Sequence, residues 1–117
     1  MQGEGPYVGA STLFVRLGGC DLRCRWCDSP HTWKPAELCR LQVRRGAPAF
    51  RELPNPVAIE TIVAAAEALE LETHRFVAIT GGEPLLQPAV VRAFACALRG
   101  RGPRIHLETH GLATGAL

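Results

Sequence analysis

No apolar run in the 117 residues approaches the roughly 18 that a membrane-spanning helix needs. The opening residues, Met1-Gln2-Gly3-Glu4-Gly5-Pro6, have neither a basic segment nor an apolar one, so no secretory leader is expected there. There is no internal repeat and no low-complexity tract, which excludes solenoid architectures. Charge of one sign is scarce: the net charge is +2, too little to argue for a nucleic-acid partner. Lysine is nearly absent, Lys34 being the only one among thirteen basic residues, so arginine carries the basic side and suits forked contacts to carboxylates. Five cysteines, an odd number, do not make a secreted disulfide framework. A reducing compartment, the cytoplasm, is the expected setting.

Hydrophobic residues make up 47% of the chain and charged residues 21%, an ordinary globular composition, and the length predicts one domain spanning residues 1–117. Within it, three of the cysteines are crowded into Gly19-Cys20-Asp21-Leu22-Arg23-Cys24-Arg25-Trp26-Cys27. Three thiolates in eight residues can ligate three irons of a cubane cluster and leave the fourth iron open to a small molecule. The alternatives are a structural zinc site or plain reduced thiols. Zinc usually takes four ligands, often from two C-x2-C pairs; here Cys24 and Cys27 form one pair and no second follows, with His31 and Cys39 the nearest spare donors.

Local patterning predicts the order of elements. Thr12 to Leu17 reads as a strand, broken by Gly18-Gly19. Residues 29–56 are punctuated by five prolines and read as irregular, with a short helix expected around 36–45 and an exposed loop over 46–56. Asn55-Pro56 has the form of a helix start, and Ile59, Ile62, Val63, Ala66 and Leu69 then recur with helical period, leaving Glu60, Glu67 and Glu70 to solvent. Phe76 to Thr80 reads as a buried strand ending in Gly81-Gly82. Pro88 opens a second helix that Gly100 closes, and Arg104 to Thr109 reads as a third strand. Cys96, on that helix, is expected to be packed; Cys39 is read as a bystander; His74 is expected to be exposed.

Strands alternating with helices predict parallel βαβ units, in which ligands gather at the C-terminal ends of the strands. Those ends carry Gly18-Gly19-Cys20, then Thr80-Gly81-Gly82-Glu83-Pro84, then Glu108-Thr109-His110-Gly111. The motifs therefore fall on one edge. Adjacent glycines after a buried strand let backbone approach a ligand, Glu83 adds charge beside them, and Pro84 stiffens the exit. His110 lies at this edge without an assigned role.

The cysteine pattern followed by Gly-Gly-Glu-Pro resembles the radical S-adenosylmethionine superfamily. That resemblance implies an α/β fold, a partial (β/α) barrel of parallel strands of which roughly half is present here. It implies a 4Fe–4S cluster on Cys20, Cys24 and Cys27, with S-adenosylmethionine on the open iron and cleaved to a 5′-deoxyadenosyl radical. Trp26, Asp28, Gly81, Gly82, Glu83 and Glu108 are the implied cofactor contacts, with Glu108 also within the range of a pterin. Gln2-Gly3-Glu4-Gly5-Pro6, Thr12 to Cys20 and Trp26-Cys27-Asp28-Ser29 further resemble the 7-carboxy-7-deazaguanine synthase family. Members convert 6-carboxy-tetrahydropterin to 7-carboxy-7-deazaguanine with loss of ammonia, a lyase reaction on the way to queuosine and other deazapurines. By that resemblance Gln2, Gly3, Glu4, Arg16 and Thr80 meet the pterin, Arg16 through its carboxylate. Ser29 stands where the family usually has threonine as a magnesium (Mg2+) ligand, and it keeps the hydroxyl. A homodimer and an electron donor such as flavodoxin or ferredoxin are implied as partners. A glycyl-radical activase, sharing the first two motifs, and a non-catalytic half-barrel holding a cluster or zinc are the competing readings.

Overall fold

A computed structural model describes residues 1–113 and residue 115. Three strands form a parallel sheet in the order β1-β4-β5: β1 is Thr12–Leu17, β4 Phe76–Gly81 and β5 Arg104–Leu107. A separate antiparallel hairpin pairs β2, Leu38–Gln42, with β3, Phe50–Pro54. Helix α1, Ile59–Ala68, precedes β4, and α2, Pro88–Leu98, joins β4 to β5. The chain thus runs strand, hairpin, helix, strand, helix, strand, the opening of a (β/α) barrel.

The central strand explains itself. Phe-Val-Ala-Ile-Thr is buried along its whole length, because β4 has a neighbour on each edge and side chains covered on both faces. Val77 and Ile79 point toward the helices and join Val63, Ala66, Leu71, Phe94 and Leu98 in the core, with Leu13, Val15, Leu17 and Leu107 packed against them. The alternate residues take the other face, where the Tyr7 ring lies 4.5 Å from that of Phe76 and 5.4 Å from that of His106. In the parallel register Arg16 is the partner of Thr80 and Leu17 of Gly81.

Helix α2 follows its expectation: Pro88 occupies the first turn, Phe94 and Leu98 are buried, and Gly100 (φ 77°) turns the chain after the last helical residue. Six other expectations are corrected. The helix expected around 36–45 is instead strand β2, and the loop expected over 46–56 contains β3; Leu-Cys-Arg-Leu-Gln alternates with period 2, and pairing with Phe50–Pro54 satisfies its backbone. Asn55-Pro56 does not start α1, which begins at Ile59 after Ala58. Asn55 closes the hairpin instead, its side-chain Nδ2 donating to the Ala36 carbonyl at 2.9 Å and its backbone N to that of Glu37 at 2.9 Å; the Asn55–Pro56 bond is cis. Cys96 is exposed, on the outer side of α2. His74 is half-buried, its ring bonded to Ser11 Oγ at 2.9 Å and the Leu69 carbonyl at 3.1 Å. Strand β5 also ends two residues earlier than expected, although Glu108 N still donates to the Ile79 carbonyl at 3.0 Å.

Candidate active site

The tails of β1, β4 and β5 meet at one edge, as parallel topology requires. Two glycines let them come close. Gly81 has φ 147°, and a Cβ there would stand 2.0 Å from the Leu17 carbonyl oxygen; a Cβ on Gly82 would stand 2.2 Å from that of Gly19 and 2.8 Å from Cys20 Cβ. With no side chain in the way, Gly82 N donates to the Leu17 carbonyl at 3.0 Å and Glu83 N to the Gly19 carbonyl at 2.8 Å. The root of the cysteine loop is therefore bolted to the end of β4. Its other side is held by Gly19 N on the Thr32 carbonyl and Cys20 N on the Trp33 carbonyl, at 2.8 and 3.2 Å.

Above this floor lies an open cavity of about 330 Å³. Of the residues singled out in the sequence, Glu4, Cys20, Cys24, Trp26, Cys27, Asp28, Ser29, Gly81 and Gly82 line it, joined by Leu22, Thr32, Trp33 and His110. All three thiols are half-buried and free. Arg23 stiffens the loop by donating to the Cys20 and Leu22 carbonyls at 2.7 and 2.6 Å while its guanidinium lies 5.0 Å from the centre of the Trp33 ring. Trp26 is 85% exposed, a large apolar face beside the thiols.

Three thiols converging on one cavity, with bare backbone at its floor, fit a cubane cluster open on one side. Such a cluster would be held by one thiolate on each of three irons, so the three sulfurs would not need to converge on a single ion. The zinc alternative needs four donors around a single ion. Among the described residues no group of three or more His, Cys, Asp or Glu is drawn together that tightly.

The remaining sequence-marked residues lie away from this cavity wall. Arg16 is exposed and donates to Ser29 Oγ at 3.2 Å, and Ser29 Oγ donates to Asp28 Oδ1 at 2.8 Å, a chain that leads from β1 to the residue after Cys27. Thr80 sits beside Arg16 in register and is buried. Gln2 and Glu108 pair with each other: Gln2 Nε2 donates to Glu108 Oε1 at 2.6 Å, while Gln2 Oε1 accepts from Gly3 N. Both were singled out as ligand contacts, and here each orients the other.

Glu83 has no exposed surface, so in this geometry its carboxylate does not face the cavity. It is a hub between strand tails: Oε1 accepts from Leu85 N at 2.8 Å, Oε2 from His110 N at 2.9 Å, and Thr109 Oγ1 lies within 3.0 Å of both oxygens. Burial of a carboxylate is tolerable when donors surround it in this way. Sequence reasoning named His110 but gave it no task; its ring bonds Asp21, in the cysteine loop, at 3.1 Å. That hydrogen bond holds the Asp21 carboxyl below its usual range, whereas burial pushes the Cys39 thiol up, as suits a bystander.

The chain belongs to the radical SAM superfamily: the family model of that description matches residues 14–115. Within that class, curated relatives carry the description 7-carboxy-7-deazaguanine synthase. A 7-carboxy-7-deazaguanine synthase of Geobacter sulfurreducens is 37% identical over 120 residues, covering 100% of this chain and 47% of the relative. One of Methanopyrus kandleri is 40% identical over 114 residues, covering 94% of this chain and 44% of the relative. Among solved structures, that of QueE from Escherichia coli superposes with a TM-score of 0.68 at 28% identity, covering 95% of this chain and 49% of that one. The chain spans about half the length of the curated relatives it matches.

Proposed function

We propose that this chain supplies the cofactor-binding half of a 7-carboxy-7-deazaguanine synthase, a radical SAM lyase that turns 6-carboxy-tetrahydropterin into 7-carboxy-7-deazaguanine. The observation that carries the reading is the joining of three thiols, Trp26 and the Gly81-Gly82 backbone in a single cavity at the C-terminal edge of a parallel sheet. The description that curated relatives carry, over nearly the whole of this chain, supports this reaction.

Cys20, Cys24 and Cys27 hold the 4Fe–4S cluster, and the Gly81-Gly82 backbone with Trp26 and Asp28 seats S-adenosylmethionine against it. Together these groups, when bound, supply one-electron cleavage of a carbon–sulfur bond and the hydrogen abstraction that follows. The protein's residues orient and enclose. Arg16, exposed on the sheet face opposite the helices, offers a planar fork to the substrate carboxylate. Gln2, Gly3, Glu4 and Thr80 set the pterin's donors and acceptors on the same side, and Glu108, fixed by Gln2, bears on the ribose or the pterin. Ser29, whose hydroxyl touches both Arg16 and Asp28, is the magnesium ligand in this reading, a hard oxygen for a hard cation. Glu83 acts by holding the strand tails together. Residues 1–117 form a single domain in this reading. A homodimer, a flavodoxin- or ferredoxin-type reductant and a cytoplasmic setting complete it; no helix among the described residues is long and apolar enough to cross a membrane.

The test is anaerobic reconstitution with iron and sulfide, then addition of dithionite, S-adenosylmethionine, magnesium and 6-carboxy-tetrahydropterin. The expected result is 7-carboxy-7-deazaguanine by mass spectrometry. A cluster that yields only 5′-deoxyadenosine keeps the superfamily chemistry and removes the substrate assignment for this half-length chain. Zinc without iron or sulfide overturns the reading.

A further inference from the structure

The cysteine loop is anchored firmly at its root and much less so along its span. Backbone bonds fix Gly19 and Cys20. Beyond them, Arg23 bonds carbonyls of the loop itself, and Cys27 N donates to the Cys24 carbonyl at 3.2 Å. Among the described residues, one side-chain hydrogen bond ties residues 20–27 to the tails of the other strands: His110 Nε2 with Asp21 Oδ1, 3.1 Å.

The ring that makes this bond is held on every side. Leu112 N donates to His110 Nδ1 at 3.0 Å, so Nδ1 is the accepting nitrogen and the neutral ring carries its proton on Nε2. That proton faces two carboxylates, Asp21 Oδ1 and Glu83 Oε2, the latter at 3.3 Å. The backbone N of His110 donates to the same Glu83 oxygen. The imidazole side chain is only 16% exposed, and it lines the cavity that the three thiols share. A surface histidine has no comparable constraint.

We infer that His110 is a positioning residue: it clamps the cysteine loop, through Asp21, onto the Glu83 hub, and so fixes the loop relative to the Gly81-Gly82 backbone across the cavity. In this role it acts through its neighbours, Asp21 and Glu83. A loop held only at its root can swing its later cysteines away from the β4 tail; a link at Asp21, one residue beyond Cys20, removes that freedom. The inference rests on the cluster-binding reading for its consequence in catalysis, but the clamp itself belongs to the protein alone.

The test compares His110→Phe, which keeps a ring without the donor, with His110→Gln, which keeps a nitrogen donor. In the metal-free protein, amide hydrogen exchange at Cys27, whose N–H bonds the Cys24 carbonyl within the loop, is expected to quicken about three- to tenfold in His110→Phe while Val77 to Ile79 stay protected, and to return most of the way in His110→Gln. In the reconstituted proteins, iron content is expected to be unchanged, and the S-adenosylmethionine-induced change in the cluster's electron paramagnetic resonance to need several-fold more S-adenosylmethionine in His110→Phe. Equal exchange in all three proteins overturns the clamp, as does equal loss of protection across β4, which marks a general packing role. Failure of the unaltered chain to take up a cluster overturns the functional reading instead, and the metal-free exchange still decides the clamp.

Discussion

The edge where β1, β4 and β5 end and the hairpin β2–β3 are close in sequence and opposite in character. At the edge the backbone comes within the space a single methyl group would need, every tail is tied to its neighbour, and a glutamate is fully buried with its donors in place. In the hairpin one residue of ten, Leu41, is buried; Phe50 and Leu38 are 46% and 47% exposed, and the Arg40–Glu52 ion pair, at 3.6 Å, lies open to solvent. A site that must hold several ligands at fixed separations needs the first kind of construction; an excursion between β1 and α1 does not. The difference predicts that substitutions of like size have effects differing by about 2 kcal/mol between the two regions, and graded substitutions can break that comparison.

The largest effect is expected at the thiols. Cys24→Ala removes one of the three proposed cluster ligands, so the reconstituted chain is expected to lose its 4Fe–4S signal and all S-adenosylmethionine cleavage, read by iron and sulfide analysis and 5′-deoxyadenosine formation. Because Cys24 is only half-buried, its thermal unfolding as metal-free protein stays close to that of the unaltered chain. Cys39→Ala is the control, with cluster content unchanged. Equal cluster content in both variants removes the functional part of the comparison.

Next comes Gly82→Ala. The added Cβ would stand 2.2 Å from a carbonyl oxygen and 2.6 Å from its carbon, both backbone, so the tails must part. We expect a loss of about 3 kcal/mol in chemical denaturation, with faster exchange at the Glu83 amide. Gly46→Ala, in the hairpin turn at φ 73° with open space around it, carries only the conformational cost of about 1 kcal/mol. If the two cost the same, close approach is not what selects glycine at the edge.

Glu83→Gln keeps the size of the side chain and exchanges an accepting oxygen for a donor. One of the N–H groups of Leu85 or His110 then faces another N–H, and about 1–3 kcal/mol should be lost. Equilibrium denaturation measures it, and a neutral result means that the hub is not assembled as described.

These contrasts also mark what could be read from the chain. The parallel strands and both helices were legible because their burial is continuous or periodic and their ends carry glycine or proline, as at Gly81 and Pro88. The cavity wall was legible because parallel topology brings strand tails together, whatever lies between them. The hairpin was not. Five prolines in residues 29–56 signalled irregularity, while Leu-Cys-Arg-Leu-Gln alternates too briefly to stand out without its partner, Phe50–Pro54. Asn55-Pro56 carried a helix-start pattern that its bond to Ala36, nineteen residues away, overrides. Glu83 and His110 were visible as residues but not in their roles. A glutamate after two glycines gives no sign that its carboxylate turns inward, because the donors that hold it come from Thr109 and His110, more than twenty residues later.

The smallest effect is expected in the hairpin itself. The Phe50 ring has Arg40 4.4 Å from its centre, an exposed cation–π contact beside a solvent-facing strand. Phe50→Ala removes that contact and some cross-strand packing, about 0.5–1 kcal/mol in all, with cluster content and S-adenosylmethionine response unchanged. The Arg40–Glu52 pair adds little, since both side chains are more than half exposed. Should Phe50→Ala instead cost as much as Gly82→Ala, or reduce cluster uptake, the hairpin is part of the site's support. The separation between an edge that binds and an excursion that only connects would then fall.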